Sequence, residues 1–177
     1  MRHIAVILIE TVTDATFRSI FVEHKHAVYR YAWRMTGSAE AADDVAQECF
    51  MVLWSMPDRF DAARGSIRAF LMGVARNTIL KRWRTESRWD VLEEDAMIGD
   101  PVDLARLEIS DAVAEAVQAL PALQREALIL AEYEDMKLED IAQAVDAELT
   151  AVKARLHRAR ENLRRTLSPL RNSTWNL

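Results

Sequence analysis

The sequence predicts an all-α fold arranged as two small helical domains, on three observations. Gly and Pro are scarce, four of each in 177 residues, while Ala, Leu, Glu, Arg and Met are abundant. These abundant residues lose little side-chain freedom in a helix. Apolar residues recur at three- and four-residue steps through most of the chain, the period of one buried helix face. An acidic, weakly periodic stretch, "WDVLEEDAMIGDP", breaks that period and carries Gly99 and Pro101. It reads as an interdomain linker. The expected division is an N-terminal extension over 1–12, a helical domain over 13–89, a linker over 90–109 and a second helical domain over 110–172.

The first helix is expected over residues 13–36, as one rod or a bent pair. Thr13 or Asp14 can cap it, and Phe17, Ile20, Phe21, Val28, Tyr31, Ala32 and Met35 form its apolar face. Gly37-Ser38 ends it, and Ser38 can cap the next. The second helix runs from about Ala39 to Met56, where Pro57 stops it. Its buried stripe is Ala42, Val45, Ala46, Cys49, Leu53 and Met56. Asp44, Gln47, Glu48 and Met51 form a second stripe on a different face. The polar loop "DRFDAARGS" has Gly65 as its hinge. A third helix follows from Ser66 to about Arg84, with Phe70, Leu71, Val74 and Ile79 inward and basic final turns carrying Trp83. That tryptophan suits either packing or stacking on a base. Helical sequence resumes near Asp103 and runs to Ala119. Pro121 suits the first turn of the next helix. A short helix is expected over about 138–145, the turn "DAELT" after it, and a long helix over about 149–167.

Composition excludes several classes. Cys49 is the only cysteine, so no disulfide framework and no thiolate zinc site can form within one chain. The longest early apolar run, "IAVILI", has six residues, too few for a signal-peptide core or a membrane span. A cytoplasmic protein without membrane insertion is expected. His24 and His26 are the nearest ligand pair, and their spacing points them to different faces of a helix. No Gly-rich phosphate loop is present. No cofactor, metal or catalytic residue is therefore expected. Formal net charge is −5, but the charge comes in blocks: 40–61 and 90–111 acidic, 76–88 and the C-terminal end basic. Such blocks suggest separate surfaces for separate partners.

The sharpest block is "TAVKARLHRARENLRR", residues 150–165, with six Lys and Arg against Glu161 alone. Leu149, Val152, Leu156, Ala159, Leu163 and Leu167 form one apolar stripe along it. Lys153, Arg155, His157, Arg158 and Arg160 lie off that stripe. A short helix, a tight turn and a basic amphipathic helix make the helix-turn-helix pattern, whose second helix enters the DNA major groove. A basic amphipathic helix alone would equally suit a membrane surface.

Two stretches resemble the bacterial extracytoplasmic-function (ECF) sigma factors. "LPALQREALILAEYEDMKLEDIAQAVDAELTAVKARLHRAREN" is similar to their fourth conserved region. "AEAADDVAQECFMVLWSMPDRFD", continuing through "FLMGVARNTILKRWR", is similar to their second. The resemblance implies a sigma factor that directs RNA polymerase to promoters and is not itself a catalyst. It implies core polymerase as partner, through the clamp helices and the flap of the large subunits, with promoter DNA and an anti-sigma factor as further partners. Asp44, Gln47, Glu48 and Met51 fall where the family docks on polymerase. Phe60, Arg64, Gly65, Ser66, Arg76, Asn77, Lys81 and Arg84 fall where it opens and reads the minus-ten element. Lys153, Ala154, Arg155, His157 and Arg158 fall where it meets the minus-thirty-five element. The chain departs from the family pattern at Asp146 (often Gly), Thr150-Ala151 (often Gly-Thr), Ala154 (often Ser) and Phe70 (usually Trp). An ordinary helix-turn-helix repressor would explain residues 120–167 but would leave the Asp44, Gln47, Glu48 stripe without a purpose. A module that only sequesters other transcription proteins is the other alternative.

Overall fold

The computed structural model describes residues 13–85 and 109–173, all-α with no strand among the described residues. Residues 1–12 and most of the expected linker lie outside them. Helix α1 spans Asp14–Thr36 as one rod. The Thr13 side chain caps it by accepting from the Thr16 amide. Gly37 ends it in the left-handed region (φ 71°), its N–H returning to the Trp33 carbonyl at 2.8 Å. Ser38 then caps α2, Ala39–Ser55, through Oγ accepting from the Ala41 amide at 3.2 Å. Pro57–Arg59 forms a 3₁₀ turn, and α3 covers Ile67–Thr85. Helix α4 is Ile109–Gln118 and α5 is Ala122–Leu128. Next come a π-helical turn, Ile129–Tyr133, and α6, Leu138–Ala144. Helix α7, Leu149–Thr166, and α8, Ser168–Ser173, complete the described chain.

Helices α1, α2 and α3 pack on one another, α5, α6 and α7 form a second group, and α3 packs on α6 between them. One apolar cluster runs through both groups, from Val28, Val45 and Leu71 to Ile129, Ile141 and Val152. Cys49 is fully buried within it, its thiol donating to the Leu71 carbonyl at 3.3 Å. Burial pushes that thiol up to about 12. Trp83 is buried, so it packs in the core and is not available for stacking. Two expected core residues are not inside. Met56 caps the C-terminal end of α2 with non-helical backbone (φ −138°), which carries its side chain off the stripe and leaves it exposed. Phe21 lies at the edge of the apolar face of α1, in an aromatic group with Phe17 and Phe50. The π turn was not expected from sequence.

Candidate nucleic-acid and protein interfaces

The helix-turn-helix forms from α6 and α7. Asp146 adopts φ 50° in the turn, a conformation that a short polar side chain tolerates where glycine would otherwise be favoured. Val152, Leu156 and Ala159 are buried against the preceding helices. Lys153, Ala154 and His157 are exposed on the outer face, and Arg158 is half-buried. Arg155 is the exception to the expected placement, because it is buried. Three residues after Val152 and four before Ala159, it shares their helix face; its charge alone had set it outside. Further along, Arg160 pairs with Glu132 (Nε to Oε1 3.0 Å), and Arg164 pairs with Glu161 one turn back. The outward face of α7 is thus most open in its N-terminal half.

On α2, Asp44, Gln47, Glu48 and Met51 are all exposed and share one face. With Met56 and Arg82 they border a shallow groove between α2 and α3. Arg82 reaches from α3 to Asp44, Nη1 to Oδ2 2.8 Å. Both side chains remain substantially solvated, so the pair contributes at most about 1 kcal/mol and can be exchanged for an external cation.

The third set is divided. Arg64, Ser66, Asn77, Lys81 and Arg84 are exposed. Ser66 Oγ caps the start of α3 by accepting from the Ala69 amide at 3.1 Å. Phe60 is half-buried, edge-on to Phe70 with ring centroids 5.5 Å apart. Gly65 faces the Gln143 carboxamide of α6, so that a side chain at 65 would meet it. Arg76 turns away from Asn77 and Lys81, its Nε donating to Glu126 of α5 at 3.0 and 3.2 Å. Glu126 also accepts from the Tyr31 hydroxyl at 2.9 Å. Burial, reinforced by that carboxylate, holds the Tyr31 phenol well above its ordinary range. Below the π turn, Glu134 is gripped by Arg30 (Nε 3.1 Å, Nη2 2.8 Å) and Arg68 (Nη2 3.4 Å). The hydrogen bond to Glu134 raises the Arg30 pKa. Sequence reading singled out none of Arg30, Arg68, Glu126 and Glu134. The available signal was that Glu126 and Glu134 flank the apolar run "ALILA", residues 127–131.

An all-α chain with a basic-faced helix-turn-helix has the architecture of a helical DNA-binding protein, and it carries a separate exposed acidic stripe on α2. Known families narrow that class. The sequence profile of sigma-70 region 2 matches residues 20–88, and that of sigma-70 region 4 matches residues 110–163. The ECF RNA polymerase sigma factor SigL of Mycobacterium tuberculosis is 32% identical over 161 residues, covering 88% of this chain and 91% of the relative. SigW of Bacillus subtilis is 27% identical over 169 residues, covering 87% and 90%. Among solved structures, CnrH in complex with the cytosolic domain of CnrY is 25% identical with TM-score 0.70, over 95% of this chain and 97% of that one. RpoE with the anti-sigma factor NepR from Bartonella quintana is 25% identical with TM-score 0.69, over 86% and 96%. The chain belongs to the ECF RNA polymerase sigma factors and serves in transcription initiation. Among the described residues no helix is long and apolar enough to cross a membrane, and no cluster of His, Cys, Asp and Glu could hold a metal ion.

Proposed function

We propose that this sigma factor divides its work between two domains, 13–89 and 110–172, joined by the acidic linker. Asp44, Gln47, Glu48 and Met51 dock on the clamp helices of core polymerase, where an acidic face suits a basic partner surface. Helix α7 enters the major groove of the minus-thirty-five element, with Lys153, Ala154, His157 and Arg158 toward base edges. The buried Arg155 supports α7 from behind and has no base contact in this reading. The loop from Phe60 to Ser66 and the α3 residues Arg76, Asn77, Lys81 and Arg84 hold and help melt the minus-ten element. Extracting a base costs a few kcal/mol, which an enclosing loop and cationic backbone contacts offset. The domain of residues 110–172 also meets the polymerase flap. The two solved neighbours are sigma factors held by other proteins, which supports an anti-sigma protein as a regulatory partner in the cytoplasm. The polymerase performs the chemistry and the sigma factor supplies none.

One observation carries this reading against a plain repressor: the exposed acid-Gln-acid stripe of α2 shares a chain with the helix-turn-helix, and a repressor has no use for it. Run-off transcription with core polymerase and a promoter library tests it. A subset of promoters sharing two spaced elements should yield transcripts. Absence of any transcript dependent on the protein overturns the proposal.

A further inference from the structure

We propose that the apolar run over residues 4–9 docks in the groove between α1 and α2 and covers the aromatic mouth of that groove. The mouth is built from four rings in contact. Phe17 meets Trp54 edge-on with centroids 4.9 Å apart, and Phe21 meets Phe50 in the same way at 4.9 Å. Phe17 also stacks on Phe21 at 6.2 Å. Contacts of 17 with 54 and 21 with 50 make the two helices antiparallel, so the mouth lies where α1 begins and α2 ends. Phe50 is buried, but Phe21 and Trp54 are 37% and 49% exposed among the described residues. From the rings the groove runs on between Tyr29 of α1 and Ala46 of α2, with a volume of about 370 Å³, and Asp43 borders its far end.

A contiguous face of exposed rings fits an apolar partner, and the chain carries one beside it. Thr13 caps α1, so Val12 stands just before the cap and Phe17 is the fourth helical residue. An apolar pair at those two positions is the hydrophobic staple, which sets the direction of the entering chain. Here it brings that chain over Phe17, the first ring of the mouth. Glu10, Thr11 and Val12 leave enough length for a reversal. The six residues before them, "IAVILI", are all apolar.

Length and charge agree with a return along the groove. Six extended residues span about 20 Å, and Phe17 to Tyr29 covers about 18 Å of helix. Run in that direction, Arg2 arrives beside the exposed Asp43. Such a solvated pair sets direction more than it adds stability. Tethering selects this occupant over a second copy, because a short connection holds the run at an effective concentration of about millimolar. Gln47 borders both this groove and the neighbouring one lined by Asp44 and Glu48. The docked run therefore flanks the acidic stripe without covering those two carboxylates.

A photo-crosslinking benzoylphenylalanine at position 7 of the full-length chain tests the placement. Irradiation should join position 7, within one chain, to peptides carrying Phe21, Ala46 or Phe50. Val6→Asp with Leu8→Asp should abolish that crosslink and lower the melting midpoint by about 4 °C or more. Trp54→Ala supplies a second measurement that a general loss of stability would not reproduce. It should lower the midpoint more in the parent than in the Val6→Asp, Leu8→Asp chain, because only the parent has a docked run to lose. Equal falls in the two backgrounds overturn the proposal. So does a crosslink to another part of the chain, or one that joins two copies and makes the groove a dimer contact. A crosslink that forms only to an added core polymerase also overturns it and assigns the run to that partner.

Discussion

Cys49 and Asp44 mark opposite ends of what one helix can do with its residues. Both sit on α2, yet the thiol is fully buried and the carboxylate exposed. The thiol's pKa, raised to about 12, has a stability consequence. Its neutral form is favoured in the folded chain, so its contribution is intact below the unfolded value, about 8.5, and is lost as pH rises from there toward 12. At pH 8, iodoacetamide should therefore modify the native chain far more slowly than the denatured one. Rapid stoichiometric labelling of native protein would place the thiol at the surface. For the exposed stripe, Asp44→Arg with Glu48→Arg should leave the circular dichroism spectrum unchanged while weakening core-polymerase binding by about 2–5 kcal/mol. Wild-type affinity in that double variant would remove this face from the interface.

At the scale of the element, periodicity made most of the helix-turn-helix legible. The helix limits and the stripe of Val152, Leu156 and Ala159 follow from residue order, while the left-handed backbone at Asp146 accords with the glycine that the resemblance places there. At Arg155 charge points outward and helical phase points inward, and phase prevails: a long side chain can bury its stem and still satisfy its head. The π turn left no trace, since widening a helix by one residue has no compositional mark. The element also predicts unequal roles for its cations. Lys153 and His157 stand open in the first half of α7, whereas Arg164 lies about 10 Å beyond His157 along the axis and is paired with Glu161. Lys153→Ala or His157→Ala should relax base preference at one minus-thirty-five position by about 1–3 kcal/mol. Arg164→Ala should weaken all promoters alike, with a slightly smaller salt dependence. Promoter-library transcription at two salt concentrations separates the two patterns, and their reversal would move the groove-facing part of α7 to its other end.

For the whole molecule, the pairing of one half with the other was the part least written in local pattern. Arg30, Arg68 and Arg76 look like solvated helix charges in sequence, and their partners lie 50 to 104 residues away. No periodicity spans such distances; only folding brings a carboxylate and a guanidinium into one dry site. That arrangement bears on how the free chain meets DNA. Net charge is −5, and the cationic surface that could offset it is partly spent, with Arg76 held by Glu126, Arg160 by Glu132 and Arg164 by Glu161. Long-range repulsion is screened beyond about 8 Å at physiological salt, so charge alone biases binding without forbidding it. The decisive term is the cations left to displace counterions, because affinity for duplex DNA falls with each phosphate contact forgone. The isolated full-length protein should therefore shift promoter duplex weakly and with a shallow salt slope. Core polymerase should convert the same duplex to a tight complex, by supplying phosphate contacts and orienting both reading surfaces. Gel shifts across a salt series, with and without polymerase, measure both quantities. Tight, sequence-specific binding by the chain alone, with a steep slope, would show that its basic face is already free and would favour the repressor reading.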